Sequence, residues 1–120
     1  MRVFIIDDDE DARLQLRGML TAEAGFEIVA EAADCAQALA RCDGLDADVA
    51  LVDYQLPGGD GLELLPVLRD RCPSMALVVY TGFGELVDQR EAERQGAAGF
   101  LEKGSPVGWI RSVLASVAGH

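Results

Sequence analysis

Short apolar runs alternate with longer segments of mixed polarity along the whole chain of 120 residues. The runs are rich in Val, Ile, Leu and Phe, and they span residues 3–6, 26–30, 49–52, 76–80 and 99–101. This length and composition predict β-strands. Four of the runs are almost entirely apolar, which is typical of parallel strands covered on both faces, whereas Glu27 in the second run predicts an edge strand.

The segments that follow the runs predict helices over residues 9–23, 34–42, 60–71, 85–95 and 106–118. Asp34 is a favourable N-cap and Pro106 a favoured first-turn residue, while Pro66 predicts a local bend inside the third helix. Five strand–helix units with right-handed crossovers give an open parallel sheet between two helical layers. We therefore predict an α/β flavodoxin-like (βα)5 three-layer sandwich with strand order 2-1-3-4-5, forming one domain over residues 1–120.

The charge balance argues against several classes of partner. The chain has 21 acidic and 10 basic residues, a formal net charge of −11. Nucleic-acid backbones and anionic membrane surfaces attract clustered Lys and Arg, so we predict no direct nucleic-acid binding, no membrane association and a cytoplasmic location. The three cysteines, Cys35, Cys42 and Cys72, lack a CxxC spacing, which favours free thiols over a disulfide framework or a zinc site.

Polar side chains stand where four of the five predicted strands end. Asp7 and Asp8 follow the first strand, Asp53 follows the third, Thr81 follows the fourth and Lys103 follows the fifth. In the predicted strand order these four strands are neighbours, and parallel strands end at the same edge of a sheet. We therefore expect the five side chains to converge there.

Three carboxylates close together repel one another unless a cation relieves the repulsion. Mg²⁺ prefers carboxylate and carbonyl oxygens and often shares its coordination shell with a phosphate, so Mg²⁺ (or Mn²⁺) is the expected cofactor. An aspartate carboxylate is also a nucleophile in phosphoryl transfer. The transferred group carries negative charge on its oxygens, which a lysine ammonium and a threonine hydroxyl can stabilise.

Four stretches of the sequence resemble the receiver domain of two-component response regulators. They are VFIIDD at 3–8, DVALVDYQLPGGDG at 48–61, VVYTG at 78–82 and GAAGFLEK at 96–103. The resemblance covers the whole chain, with the motifs in order and at suitable spacings. The Gly104-Ser105-Pro106 sequence after Lys103 is more similar to receivers that precede helix-turn-helix DNA-binding domains, although this chain is expected to contain no output domain.

The resemblance implies a phosphorylation site and a metal site. Asp53 is the implied phosphoryl acceptor. Asp8 and Asp53 are the implied direct Mg²⁺ ligands, with the backbone carbonyl of Gln55 as a third ligand and Asp7 acting through water.

The resemblance also implies a switch and its partners. Thr81 is the implied hydroxyl that binds the new phosphoryl group, Phe100 stands at the aromatic switch position, and Lys103 pairs with a phosphoryl oxygen. The donor is a phosphohistidine on a sensor histidine kinase or a phosphotransfer protein, and a homodimer can form on activation. The resemblance further implies that the protein catalyses its own phosphorylation and dephosphorylation but is not a classical turnover enzyme.

Three other functions remain open on the sequence alone. An interaction module with receiver architecture works without phosphorylation, and the intact acidic pair, Asp53, Thr81 and Lys103 argue against it. A flavin- or nucleotide-binding domain of the same topology requires backbone amides and hydroxyls after the first strand, where five consecutive acids would repel a phosphate. A phosphatase or phosphomutase with an aspartyl nucleophile generally has Asp-x-Asp after the strand, and position 55 is Gln.

Two expectations concern surfaces away from this edge. Residues 85–95 contain only Leu86, Val87 and Ala92 as apolar anchors, which predicts either an ordinary solvated helix or a weakly held element that repacks on switching. Trp109 is expected to be semi-buried packing.

Overall fold

A computed structural model describes residues 1–22, 25–57, 59–82 and 88–118. For Gly59 and Asp60 it describes the backbone alone. Within the predicted helices, residue 23 and residues 85–87, including Leu86 and Val87, therefore lie outside the described residues.

Five parallel strands form the central sheet in the order β2-β1-β3-β6-β7. They are β1 (Arg2–Ile6), β2 (Glu27–Ala32), β3 (Val49–Val52), β6 (Ala76–Thr81) and β7 (Gly99–Glu102). This confirms the predicted order and places the second strand at an edge of the sheet, where Glu27 is exposed. The strands extend up to two residues beyond the apolar runs, for example through Ala32 in β2 and Thr81 in β6.

Helices follow the sheet strands as predicted, with small differences at their ends. They are α1 (Glu10–Thr21), α2 (Cys35–Cys42), α3 (Gly61–Arg71), α4 (Gln89–Arg94) and α5 (Val107–Ala118). The Asp34 side chain accepts a hydrogen bond from the Gln37 backbone and caps α2, and Pro66 lies inside α3. Within the described residues, none of these helices has the length and apolarity needed to span a membrane.

Two apolar clusters cover the two faces of the sheet. One contains Leu16 and Leu20 of α1 with Ile110 and Leu114 of α5, all at most 2% exposed. The other contains α2 and α3 residues, together with the one buried residue of α4, Ala92. The alternation of strand side chains between the two faces makes both clusters continuous with the sheet, which gives the predicted three layers.

A short hairpin between the third strand and the third helix was not predicted. Strands β4 (Gln55–Leu56) and β5 (Gly59–Asp60) pair in antiparallel orientation, and α3 starts directly after them. The surrounding residues 48–61 were interpreted only through the family resemblance. A two-residue strand carries too little periodicity to be recognised from its sequence.

The prediction of free thiols is wrong for two of the three cysteines. Cys42, the last residue of α2, forms a disulfide with Cys72, which follows α3. The pair is 30 residues apart in sequence, and the packing of α2 beside α3 brings the two Cα atoms within 6.6 Å. Cys35 lies outside this disulfide.

Trp109 also differs from its prediction. Its side chain is 57% exposed near the start of α5, because the buried face of that helix is formed by Ile110 and Leu114. A tryptophan next to a core position in sequence points to a different face of a helix.

Candidate functional site

The carboxyl ends of four neighbouring strands bring the predicted polar residues to one edge of the sheet. Asp7 follows β1, Asp53 follows β3, Thr81 ends β6 and Lys103 follows β7. Backbone hydrogen bonds continue the ladder past the strand ends, from the Asp53 N–H to the Ile6 carbonyl (2.9 Å) and from the Lys103 N–H to the Thr81 carbonyl (2.8 Å). The four positions are therefore fixed by the sheet itself. We call this edge the carboxyl rim.

Three carboxylates cluster at the carboxyl rim. Asp7, Asp8 and Asp53 each offer one oxygen, and these three oxygens lie within 4.8 Å of one another. Asp7 and Asp53 are 2% and 5% exposed, whereas Asp8 is exposed. These oxygens are hard donors, and the cluster is buried on one side and open to solvent on the other. This arrangement fits a divalent cation such as Mg²⁺, which keeps part of its water shell.

The ammonium of Lys103 bridges two of these carboxylates. Its Nζ lies 2.8 Å from Asp7 Oδ2 and 2.9 Å from Asp53 Oδ2. Burial lowers the pKa of Lys103, but the hydrogen bonds to Asp7 and Asp53 and the negative charges of these two carboxylates together raise it above its ordinary value. Lys103 is therefore a fixed positive charge next to Asp53.

Burial dominates the protonation behaviour of Asp53. Removal of its carboxyl from water raises the pKa of Asp53, the Lys103 ammonium opposes that rise, and the Asp7 charge adds to it. The net effect is a raised pKa, which means that the ionised carboxylate is held at a cost in free energy. An added cation would relieve this cost.

Backbone and side-chain contacts hold the acidic loops in place. The Gln55 backbone N–H donates to Asp53 Oδ1 (3.3 Å). The Asp9 backbone N–H donates to Asp7 Oδ1 (3.0 Å).

The guanidinium of Arg13 donates to the Asp7 carbonyl and also pairs with Glu31 on β2 (Nε to Oε1, 3.3 Å). Arg13 was not predicted as a neighbour of the site, because an arginine in a charged helix carries no sequence signal for this contact.

A close backbone approach supports Asp53 from the other side. The Gly61 N–H donates to the Tyr54 carbonyl (2.6 Å), and a Cβ placed on Gly61 would lie 2.1 Å from the Asp53 carbonyl oxygen. Only glycine fits this position, which the glycine-rich sequence before α3 could have signalled.

Thr81 and Phe100 lie where the sequence analysis expects them, on adjacent paired strands. Thr81 is fully buried as the last residue of β6, and it pairs with Glu102 of β7. Phe100, on β7, is half-buried against the cluster that contains Ala92. The switch roles of Thr81 and Phe100 stay predictions, as does the role of the Gln55 carbonyl.

Tyr80 is a neighbour of the site that the sequence analysis did not single out. Lys103 Nζ lies over the Tyr80 ring, 6.0 Å from its centroid. Burial raises the pKa of Tyr80, and the Lys103 charge and a hydrogen bond from the Gly104 backbone only partly offset this rise, so the phenol is neutral at physiological pH. An aromatic residue in a buried strand is typical of the hydrophobic core. Tyr80 belongs to the core and also contacts Lys103.

Two curated relatives match most of this chain in sequence. The DNA-binding transcriptional activator DevR/DosR of Mycobacterium tuberculosis is 34% identical over 103 residues, which are 86% of this chain and 48% of that protein. The transcriptional regulatory protein FixJ of Azorhizobium caulinodans is 39% identical over 101 residues, 84% of this chain and 47% of that protein. The chain thus spans about half the length of the curated relatives it matches.

A solved structure has the same fold. A response regulator protein from Burkholderia pseudomallei with a phosphorylated aspartic acid, calcium ion and citrate superposes with a TM-score of 0.83 at 26% identity, over 98% of this chain and 68% of that one. The family model of the response regulator receiver domain matches residues 3–114, which include the whole carboxyl rim. The chain belongs to the response regulator receiver domain family.

Proposed function

We propose that this receiver domain is a phosphorylation switch in which Asp53 accepts a phosphoryl group from a phosphohistidine. The observation that carries the proposal is the contact of Lys103 Nζ with Asp53 Oδ2 (2.9 Å) and Asp7 Oδ2 (2.8 Å) beside an acidic cluster. A nearly buried carboxylate with a fixed ammonium on one side has a nucleophile and a charge-stabilising group in contact before any donor binds.

The transfer balances as a single displacement. One carboxylate oxygen of Asp53 attacks the phosphorus of the phosphoimidazole, and the new P–O bond forms as the P–N bond breaks. The imidazole leaves with the electron pair of the broken bond and takes a proton. Lys103 then pairs with a phosphoryl oxygen, and the Thr81 hydroxyl donates to another.

Asp7, Asp8 and Asp53 would hold a divalent cation, with the Gln55 carbonyl as the remaining protein ligand. The bound ion supplies positive charge to the phosphoryl oxygens as negative charge gathers on them. The three carboxylate oxygens within 4.8 Å support this assignment, because they outnumber the Lys103 ammonium that pairs with Asp7 and Asp53. Burial of Asp53, which raises its pKa, adds to the cost that a bound cation would relieve. Oxygen-only donors favour Mg²⁺ or Mn²⁺ over softer ions.

The comparisons support the same chemistry from a second direction. The Burkholderia pseudomallei structure is described with a phosphorylated aspartic acid and a calcium ion. We extend both features to Asp53 and its acidic neighbours. DevR/DosR is described as a DNA-binding transcriptional activator, so we also propose that a DNA-binding output receives the signal of this domain.

The proposed switch runs from Thr81 to α4. The weak anchoring of α4, which buries only Ala92, supports a repacking of this helix when Thr81 binds the phosphoryl group and Phe100 moves. The surface formed by α4, β7 and α5 would then change. We propose that the domain acts in the cytoplasm, that a sensor histidine kinase or phosphotransfer protein is the donor partner, and that a homodimer is the activated form.

Intact-mass measurement with Mg²⁺ and acetyl phosphate tests the phosphoryl transfer. We expect a mass gain of one phosphoryl group, which disappears in Asp53→Asn and after chelation of the metal. Asp46→Asn is the matched control, because Asp46 is an exposed carboxylate at the opposite end of the sheet. If the unmodified protein gains no phosphoryl group from acetyl phosphate or a phosphohistidine donor, the domain is the phosphorylation-independent interaction module.

A further inference from the structure

Neighbouring residues at the end of β6 face opposite sides of the sheet. Because side chains alternate along a strand, Thr81 and Tyr80 point to different layers. Tyr80 belongs to the apolar cluster of α1 and α5 residues and is 9% exposed. The lysine that serves the phosphorylation site is thus also in contact with the opposite layer of the protein.

The Tyr80 side chain lies near both the ammonium of Lys103 and the backbone that follows this residue. Its face lies under the Lys103 ammonium, 6.0 Å from Nζ to the ring centroid. The backbone of Gly104, the residue after the lysine, lies near enough to the phenol to lower the pKa of Tyr80. Gly104 has a φ of 89°, so the chain turns directly after Lys103. The turn brings the base and the tip of the lysine close to the same aromatic side chain.

A groove beside the ring offers the Lys103 side chain an alternative position. It has a volume of about 220 Å³ and is lined by Leu16 and Met19 of α1 together with Tyr80, Lys103 and Ser105. Lysine has a long, flexible stem whose ordering costs conformational entropy, and the Lys103 side chain is 28% exposed. An aromatic face that attracts a cation favours the conformers in which the ammonium stays near the ring.

We propose that Tyr80 is a positioning residue whose ring holds the Lys103 ammonium near Asp53 and Asp7. The inference deepens the proposed function and rests on it, because the positioned ammonium is the one that stabilises the transferred phosphoryl group. Tyr80 acts through Lys103 and does not touch the phosphoryl group itself.

Nuclear magnetic resonance reports the contact without any phosphodonor. Lys103 is the one lysine in the sequence, so a sample with ¹³C-labelled lysine gives a single ε-methylene cross-peak. We expect the ring current of Tyr80 to displace this cross-peak upfield, Tyr80→Phe to retain the displacement, and Tyr80→Leu to abolish it. An unchanged cross-peak in Tyr80→Leu would overturn the proposal.

Phosphorylation kinetics report the consequence. With Mg²⁺ present, we expect Tyr80→Leu to lower the first-order rate at saturating acetyl phosphate by about three- to tenfold, and Tyr80→Phe to remain within about twofold of the unmodified protein. The concentration of acetyl phosphate at half-maximal rate should change less than the rate itself. A loss as large in Tyr80→Phe as in Tyr80→Leu would assign the effect to the hydroxyl and overturn the role of the ring.

A core variant on the same strand separates positioning from stability. Val78 lies two residues before Tyr80, faces the same cluster and is fully buried. We expect Val78→Ala to lower stability without moving the lysine cross-peak or the phosphorylation rate, and an equal rate loss in Val78→Ala would contradict the proposal. A lack of phosphorylation in the unmodified protein overturns the proposed function instead, because the cross-peak measurement tests the Tyr80–Lys103 contact independently.

Discussion

The two ends of the central sheet handle charge in opposite ways. At the carboxyl rim lie the three buried polar side chains among the described residues, Asp7, Asp53 and Thr81, none more than 5% exposed. At the amino end, Arg2 Nη1 pairs with Asp46 Oδ2 (2.5 Å) through side chains that are 44% and 82% exposed. Both ends contain acids beside a cation, but only the carboxyl rim buries two of its carboxylates, Asp7 and Asp53.

The difference separates a site that costs stability from contacts that do not. A buried ion pair pays a desolvation penalty that its attraction does not reliably repay, whereas an exposed pair contributes about 0–1 kcal/mol. Most of the sheet is covered by apolar residues, and the carboxyl rim is where fully buried carboxylates concentrate. Such a concentration of buried charge is typical of a functional site.

The largest effect is expected where the backbone itself supports the carboxyl rim. Gly61→Ala places a Cβ 2.1 Å from the Asp53 carbonyl oxygen, so the loop that carries Asp53 must move. We expect a loss of at least about 2 kcal/mol in stability and at least about a hundredfold loss in phosphorylation rate, measured by urea unfolding and intact mass.

A second glycine provides the control for this substitution. Gly18 lies in α1 with no atom within 4 Å of an added Cβ. Gly18→Ala should therefore stabilise the protein by about 0.5–1 kcal/mol and leave phosphorylation unchanged. Equal effects of the two glycine substitutions would mean that the close approach at Asp53 does not matter.

The next effect compares one substitution type at both ends of the sheet. Lys103→Arg replaces a compact ammonium, fitted between Asp7 and Asp53, with a larger planar guanidinium, and we expect phosphorylation by acetyl phosphate to slow about 10- to 100-fold. Arg2→Lys, the reverse exchange at the exposed amino end, should leave the rate unchanged. Normal phosphorylation of Lys103→Arg would remove the specific role of the ammonium.

Asp53 gives the buried end a distinctive pH dependence. Burial raises the pKa of Asp53 above its ordinary value of 3.8, so the folded state holds this proton more tightly than the unfolded chain. Its contribution to stability is therefore fully present below pH 3.8 and is lost as the pH rises through the raised folded value.

Asp53→Asn removes that loss. In metal-free buffer at pH 7 we expect the variant to unfold roughly 2–5 °C above the unmodified protein, with the difference disappearing toward pH 3. Thermal unfolding followed by circular dichroism measures both. A variant that is less stable at pH 7 would show that the pairing of Asp53 with Lys103 outweighs the cost of burial.

The smallest effect belongs to the amino end. Asp46→Ala removes an exposed carboxylate from Arg2, and we expect a change of less than about 1 kcal/mol in the free energy of unfolding, which shrinks further in high salt. A larger, salt-insensitive loss in urea unfolding would erase the contrast between the two ends of the sheet.

Much of the fold was readable from the sequence because its signals are local. A strand such as Val49–Val52 is recognisable from four consecutive apolar residues, and the N-cap of α2 from Asp34. The strand order common to sheets built from such units then places Asp7, Asp53, Thr81 and Lys103 at one edge of the sheet.

Contacts between distant side chains were not readable in this way. The Cys42–Cys72 disulfide joins the ends of two helices. The exposed position of Trp109 depends on which face of α5 packs against the sheet. The antiparallel hairpin formed by Gln55–Leu56 and Gly59–Asp60 is too short to show a period. Each depends on packing that has no counterpart in a short stretch of sequence.

The sequence by itself determined which residue types stand at the strand ends, and therefore the acidic cluster and its lysine. Only the tertiary structure decided that Lys103 bridges Asp7 and Asp53, that Tyr80 lies under it, and that Gly61 must lack a side chain. Strand periodicity and chain connectivity are one-dimensional properties that a sequence displays directly. Distances of a few ångströms between side chains depend on the packing of layers, which the chain defines only once it has folded.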